Sequence, residues 1–91
     1  MSFSVIWTTQ FKRDYKKASK RNLPIELLDD IIRKLAEGEK LPEKNRDHAL
    51  SVNWVGFREC NILPDWLLIY RVEVDILVLT LARTGTHGDL F

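Results

Sequence analysis

The second half of the chain alternates strand-like segments with very short connections, which limits the folds it can adopt. Residues Gly56–Leu63, Trp66–Val72 and Ile76–Arg83 are rich in aliphatic, aromatic and β-branched residues, which favour extended structure. Pro64-Asp65 and Glu73–Asp75 separate these segments, and connections this short join antiparallel neighbours. The sequence therefore predicts three consecutive antiparallel strands.

The first part of the chain has one strand pattern and one helix pattern. Apolar residues alternate with other residues over positions 3–7, which predicts a first strand. A helix follows, with Thr8 or Thr9 as its N-cap and its end near Arg21. The apolar face of this helix consists of Phe11, Tyr15 and Ala18.

A second helix is predicted from Pro24, which fits a first helical turn, to a stop at Gly38. Its buried stripe consists of Leu28, Ile31, Ile32 and Leu35. Residues 39–53 read as a surface loop and residues 84–91 as a partly ordered loop. The element order βααβββ predicts an α+β fold: a mainly antiparallel four-stranded sheet with two helices on one face. The length fits one domain over residues 1–91.

Cysteine content and hydropathy predict a protein of the cytoplasm. Cys60 is the only cysteine, so no internal disulfide can form, and we interpret it as a small buried hydrophobe. Residues 1–10 lack the features of a signal peptide. No run approaches the roughly 20 apolar residues that span a bilayer, so we expect no membrane partner.

Charge is unevenly distributed although the net charge is only +1. Within residues 10–22 the only acidic residue is Asp14, and the basic residues are Lys12, Arg13, Lys16, Lys17, Lys20 and Arg21. Such a helix face can follow phosphates, and we select Lys12 and Lys16 as candidate substrate-binding residues. A solvated helix surface is the alternative explanation.

Side chains suited to phosphate and proton chemistry gather in the second half. They are His48, Arg58, Asn61, Asp65, Arg83 and His87. Cleavage of RNA by its own 2′-hydroxyl needs a base, an acid and a donor that stabilises the charged phosphorane. Histidine suits either proton role, and arginine offers a planar fork for phosphate oxygens. The nucleophile already lies beside the phosphorus, so we expect no metal and no cofactor.

Each of these side chains also has a simpler explanation. A surface histidine is common, Asp65 is an ordinary turn residue beside Pro64, and Arg83 fits a solvated charge or a partner for Asp65. Trp54, Phe57 and Trp66 are expected to pack in or near the core. The two histidines and one cysteine are too few and too scattered for a zinc site.

Three sequence blocks resemble the YafQ branch of the RelE/ParE toxin superfamily. Asp47–Leu50 followed by Trp54–Cys60 resembles that family's DHxL…WxGxRE stretch. Pro64–Tyr70 resembles its PDWxLIY strand, and Arg83–Phe91 resembles its RTGTHxxLF ending. The blocks occur in the family's order and spacing, so the resemblance covers essentially the whole chain.

The resemblance implies the toxin of a type II toxin–antitoxin system with a RelE-like compact ribonuclease fold. It implies metal-independent endoribonuclease activity that cuts messenger RNA in the ribosomal A site. It also implies a cognate antitoxin, and contact with operator DNA only through the antitoxin complex. Matching positions make His48 and His87 proton-transfer groups and Asp65 an orienting residue or base. Arg83 would hold the scissile phosphate, and Phe91 would position a base.

Asn61 departs from the pattern because the family often has histidine there. Asparagine cannot exchange a proton near neutral pH, but it can hydrogen-bond a phosphate or a base. We therefore group Asn61 and Arg58 with Phe91 as candidate substrate-binding residues. Two alternatives stay open: a ParE-like toxin that acts on gyrase, and a catalytically weakened module that contacts antitoxin and DNA.

Overall fold

The fold comes from a computed structural model, which describes residues 2–91. Five strands and three helices occur in the order βααββββα. They are β1 (Ser4–Trp7), α1 (Thr9–Lys20), α2 (Ile25–Ala36), β2 (His48–Ala49), β3 (Arg58–Leu63), β4 (Trp66–Glu73), β5 (Val78–Gly85) and α3 (His87–Leu90). Thr8 caps α1 by accepting the backbone N–H of Phe11 at 3.1 Å. Both long helices and all four expected strands are therefore present.

All five strands form one sheet in the order β1-β5-β4-β3-β2. β1 runs parallel to β5, and the other neighbours are antiparallel. The α+β class is confirmed, but the prediction of four strands was one short. The additional strand β2 lies in the expected loop over residues 39–53 and has only two residues. So short a strand leaves no periodic pattern in a sequence.

The main core lies between α1, α2 and one face of the sheet. Its largest fully buried side chains include Phe11, Leu28, Leu68, Tyr70, Leu79 and Leu81. Trp66 joins this core, and its indole N–H donates to the Thr84 hydroxyl at 2.9 Å. Cys60 is fully buried, and burial raises the pKa of its thiol to about 12. Cys60 is thus a packing residue, as expected.

The C-terminal segment is more ordered than the sequence predicts. β5 continues to Gly85, and a single helical turn, α3, follows it instead of a loop. The Thr86 hydroxyl accepts the Asp89 backbone N–H, while the Asp89 carboxylate accepts the Thr86 N–H, a capping box. Leu90 then packs on a second apolar cluster beneath it. One turn is too short for a periodic helix pattern, so the sequence did not reveal it.

Asp89 also fastens α3 to α1. Its carboxylate lies 2.8 Å from the Arg21 guanidinium and 3.9 Å from the Lys17 ammonium. The hydrogen bond from Arg21, helped by the backbone N–H of Thr86, holds the pKa of Asp89 well below its usual range. We call this contact between Asp89 and Arg21 the α1–α3 latch.

Among residues 2–91, no helix has the length and apolar character that a membrane crossing needs.

The α1–α3 latch predicts how stability depends on pH. Because the pKa of Asp89 is depressed in the folded protein, its stabilising contribution is complete above the ordinary value of 3.8 and disappears as pH falls through the lower folded value. We expect Asp89→Asn to lower the free energy of unfolding near neutral pH. That difference should shrink below pH 3.8. Urea unfolding of both proteins across this range measures it, and a pH-independent difference contradicts the latch.

Gly85 lies where β5 meets α3, and its position predicts a steric effect. A Cβ at Gly85 would lie 3.0 Å from both Cβ and Oδ2 of Asp89. Gly85→Ala should therefore displace α3 and cost about 1–3 kcal/mol of unfolding free energy. Gly88→Ala is the matched control, because its Cβ would meet nothing nearer than 3.8 Å. Its unfolding free energy should stay within about 0.5 kcal/mol of wild type. Equal losses would contradict the steric explanation.

Candidate active site

The sheet face opposite α1 and α2 carries most of the candidate site residues. Strand register aligns one row of His48, Glu59, Ile69 and Arg83, and a neighbouring row of Asn61, Leu67 and Gly85. Directly paired residues project from the same side of a sheet. We call this side the open face. Its floor is the second apolar cluster, which includes Leu67 and Ile69.

A β-bulge turns Arg83 onto the open face. Leu81 pairs with Tyr70 and packs in the main core, whereas Arg83 pairs with Ile69. Residues two apart on a regular strand share a face, so without the extra residue Ala82 the side chain of Arg83 would point into the core. Bulges commonly redirect side chains in this way beside functional sites.

His87 and Asp65 form the closest contact among the candidate residues. Leu67 pairs with Gly85, so Asp65 two residues earlier and His87 two residues later meet at the end of the sheet. Asp65 Oδ1 lies 2.7 Å from His87 Nδ1 and accepts the His87 backbone N–H at 3.2 Å. These hydrogen bonds lower the pKa of Asp65, which is therefore ionised at neutral pH. The Asp65 carboxylate orients the exposed His87 imidazole through Nδ1, so the His87 Nε2 atom is directed away from the carboxylate.

Arg83 is held by a residue that the sequence analysis did not select. Asp14 of α1 is 7% exposed, and its Oδ2 accepts Arg83 Nε at 2.7 Å and the Thr84 backbone N–H at 3.2 Å. Arg83 Nη2 adds a bond of 3.3 Å to Oδ1. The carboxylate raises the pKa of Arg83, which remains a cation. The partner of Arg83 is thus Asp14 and not Asp65, the partner considered from the sequence.

His48 lies at the other end of its row and does not contact Asp65, Arg83 or His87. Its Nε2 is 3.6 Å from the buried carboxylate of Glu59, and its Nδ1 is 2.6 Å from the Arg46 carbonyl. The Cα atoms of His48 and Arg83 are separated by three strand spacings, or about 14 Å. His48 and Glu59 therefore form a second histidine–carboxylate pair on the open face, and Glu59 was missed by the sequence analysis.

The candidate substrate-binding residues are dispersed. Arg58 pairs with Tyr70 on the helix-covered face, and its Nε donates to Asp47 at 3.2 Å. Asn61 is on the open face, where its amide donates to the Pro64 carbonyl at 3.3 Å. Phe91 follows α3 and is 63% exposed. The structure therefore brings Asn61 near Asp65 but turns Arg58 away from the open face.

Lys12 and Lys16 are exposed on α1, two positions before and two positions after Asp14. Each residue of an α-helix advances the side chain by about 100°, so both lysines project from the side opposite Asp14. Asp14 faces Arg83, and Lys12 and Lys16 therefore point away from it.

The comparisons with known proteins define the class. A family model described as "Bacterial toxin of type II toxin-antitoxin system, YafQ" matches residues 3–91. The fold and this match place the chain among the toxins of bacterial type II toxin–antitoxin systems.

Individual relatives agree over nearly the full length. The mRNA interferase toxin YafQ of Escherichia coli strain B / BL21-DE3 is 36% identical over 86 residues, covering 93% of this chain and 91% of that protein. The crystal structure of YafQ from E. coli BL21(DE3) has a TM-score of 0.92 at 33% identity, with 98% of each chain covered. The E. coli DinJ–YafQ toxin–antitoxin complex has a TM-score of 0.91 at 33% identity, covering 100% of this chain and 99% of that one. The chain belongs to the YafQ toxin family.

The Asp14–Arg83 contact predicts a large effect on stability. Asp14→Asn removes the charge that holds the guanidinium and weakens the bond to the Thr84 N–H, so we expect a loss of about 2 kcal/mol in unfolding free energy. Asp29→Asn is the control, because within residues 2–91 Asp29 accepts one side-chain hydrogen bond, an exposed one from the Tyr15 hydroxyl. It should cost less than about 1 kcal/mol. Urea unfolding compares the two, and equal losses would contradict the anchoring role.

Proposed function

We propose that this chain is an mRNA interferase, an endoribonuclease that cuts messages by attack of the ribose 2′-hydroxyl. The observation that carries the proposal is the exposed His87–Asp65 pair at the same end of the sheet as Arg83. A histidine oriented by a carboxylate can transfer a proton, and a nearby fixed cation can stabilise the charged phosphorane. Phosphoryl transfer without a protein nucleophile depends on groups of these two kinds. The curated relative named an mRNA interferase toxin supports this activity.

In the proposed reaction, a base takes the proton of the 2′-hydroxyl, and the resulting oxygen forms a bond to the adjacent phosphorus. Arg83 stabilises the added negative charge of the phosphorane. The bond from phosphorus to the 5′ oxygen then breaks, and protonated His87 donates its proton to that oxygen. Asp65 keeps the imidazole oriented through its contact with Nδ1. The products are a 2′,3′-cyclic phosphate and a 5′-hydroxyl.

His48 is assigned to the second proton-transfer role, with Glu59 as its carboxylate partner. The pair lies on the open face in the same row as Arg83, which supports this assignment. We assign Phe91 to stacking on a base, and its exposure immediately after the helix that carries His87 supports this role. The role of Asn61 is a hydrogen bond to substrate or support of the turn before Asp65.

Partner and site of action follow from the proposed activity. The toxin acts in the cytoplasm on messages in the ribosomal A site and is neutralised by a cognate antitoxin, as the DinJ–YafQ complex suggests by analogy. An antitoxin of this kind binds through a segment that orders on binding. Operator DNA is contacted through the toxin–antitoxin complex.

The test maps message 5′ ends after brief induction of wild type and of His87→Ala. Wild type should arrest growth and produce new 5′ ends within translated messages, and the antitoxin should prevent both. His87→Ala should reduce cleavage by about 100-fold or more, the typical contribution of a proton-transfer residue. Circular dichroism and urea unfolding establish that the variant is folded, which is expected because His87 is an exposed residue.

Three outcomes would contradict the proposal. Cleavage by a folded His87→Ala variant at the wild-type rate would contradict the role of His87 as proton donor. DNA damage signalling with intact messages would favour the gyrase-directed alternative. Absence of both arrest and cleavage in wild type would favour a weakened binding module, for which the Asn61 substitution is the supporting observation.

A further inference from the structure

Helix α1 and the residue after it carry two matched rows of three cations. We call Arg13, Lys17 and Arg21 the inner row, and Lys12, Lys16 and Lys20 the outer row. Residues four apart lie one above the other on a helix, so each row is a line along the helix. Because every inner position is one residue after an outer position, the two rows differ by a rotation of about 100°.

The inner row borders the candidate active site. Lys17 and Arg21 contact Asp89 of α3, the helix that begins with His87. Lys17, Arg21 and Arg83 line one small crevice, about 60 Å³ in volume, with Asp14 and Asp89. The row thus continues the line of positive charge that starts at Arg83.

The inner cations remain available to a ligand despite these contacts. The Lys17 side chain is 59% exposed and the Arg21 side chain 42% exposed. Arg13 is exposed, and within residues 2–91 no carboxylate lies within ion-pair distance of it. The inner row and Arg83 together supply four cations, and in the described part of the chain the carboxylates they contact are only two, Asp14 and Asp89. The excess of positive charge fits a polyanion.

We propose that the inner row binds the phosphate backbone of the message next to the cleavage point, so that the RNA runs along α1 from Arg83. This rests on the proposed function and extends it to a substrate path. Successive cations in the row are separated by four helical residues, or about 6 Å of rise. That spacing lets consecutive phosphates of an extended single strand meet consecutive cations. A charged groove that follows the backbone is the general way proteins bind single strands.

The outer row provides a control within the same helix. It has the same number of cations and the same spacing, but Lys12 and Lys16 project from the side opposite Asp14. The test compares the double variant Arg13→Gln/Lys17→Gln with Lys12→Gln/Lys16→Gln. Both remove two positive charges, neither places a carboxylate beside Asp89, and both keep Asp14 and the Arg21–Asp89 contact of the α1–α3 latch.

The probe is the binding of each protein, carrying His87→Ala to prevent cleavage, to ribosomes programmed with message and to ribosomes without message. The inner-row variant should bind programmed ribosomes at least about 10-fold more weakly, and the slope of log affinity against log salt should fall by about two. The outer-row variant should stay within about 3-fold of its parent. When residue 87 is the wild-type histidine, message cleavage should likewise be reduced more by the inner-row variant than by the outer-row variant.

Each other outcome contradicts the proposed RNA path. Equal losses of ribosome affinity in both variants would mean that only net charge matters. Unchanged affinity of the inner-row variant would mean that the row is a solvated helix face. Equal losses with and without message assign the row to ribosomal RNA. Weaker antitoxin binding with unchanged ribosome binding assigns the row to the antitoxin. Whether wild type cuts messages is measured separately, from message 5′ ends. Absence of cutting would contradict the proposed nuclease activity but would leave the binding comparison valid.

Discussion

The buried carboxylate of Asp14 closes the edge of β5 where the sheet lacks a strand. β1 pairs with β5 only as far as Leu81, and beyond that point α1 lies beside the free edge. Asp14 accepts the Thr84 backbone N–H there and holds the Arg83 guanidinium. A buried N–H left unpaired would be costly, and a buried carboxylate needs donors equally. One contact therefore seats α1, completes the edge and fixes the cation of the candidate site.

The rest of the C-terminal segment depends on that contact and on the α1–α3 latch. Asp14 of α1 and Arg21, the residue after α1, make these two contacts, and together they hold the end of β5 and α3 in place. His87 can meet Asp65 only if α3 keeps this position, because Asp65 precedes β4 and His87 follows β5 in the first turn of α3. Stability and the proposed chemistry thus rest on the same charged contacts. Destabilising α1 would therefore be expected to affect the site as well as the fold.

Much of the architecture could be predicted from the sequence, and the failures share a cause. Periodic segments gave the two long helices and four of the strands, while β2 and α3 are too short to show a period. The meeting of Asp65 and His87 follows from antiparallel pairing of β4 with β5. Asp14 was missed because 69 residues separate it from Arg83, and no local pattern records such a contact. The bulge at Ala82, which turns Arg83 outward, leaves no local mark either.

The alternation of side chains between the two faces of a strand would have improved the choice of candidate residues. Arg58 and Asn61 are three residues apart on β3, so they project from opposite faces, and only Asn61 is on the open face. Its amide donates to the Pro64 carbonyl and so shapes the turn that presents Asp65. On the proposed mechanism, a histidine at this position would add a proton-transfer group beside the His87–Asp65 pair. With asparagine there, the proposed mechanism assigns proton transfer to His87 and to His48 with Glu59, and it assigns position 61 a role in shaping the turn in place of acid–base chemistry.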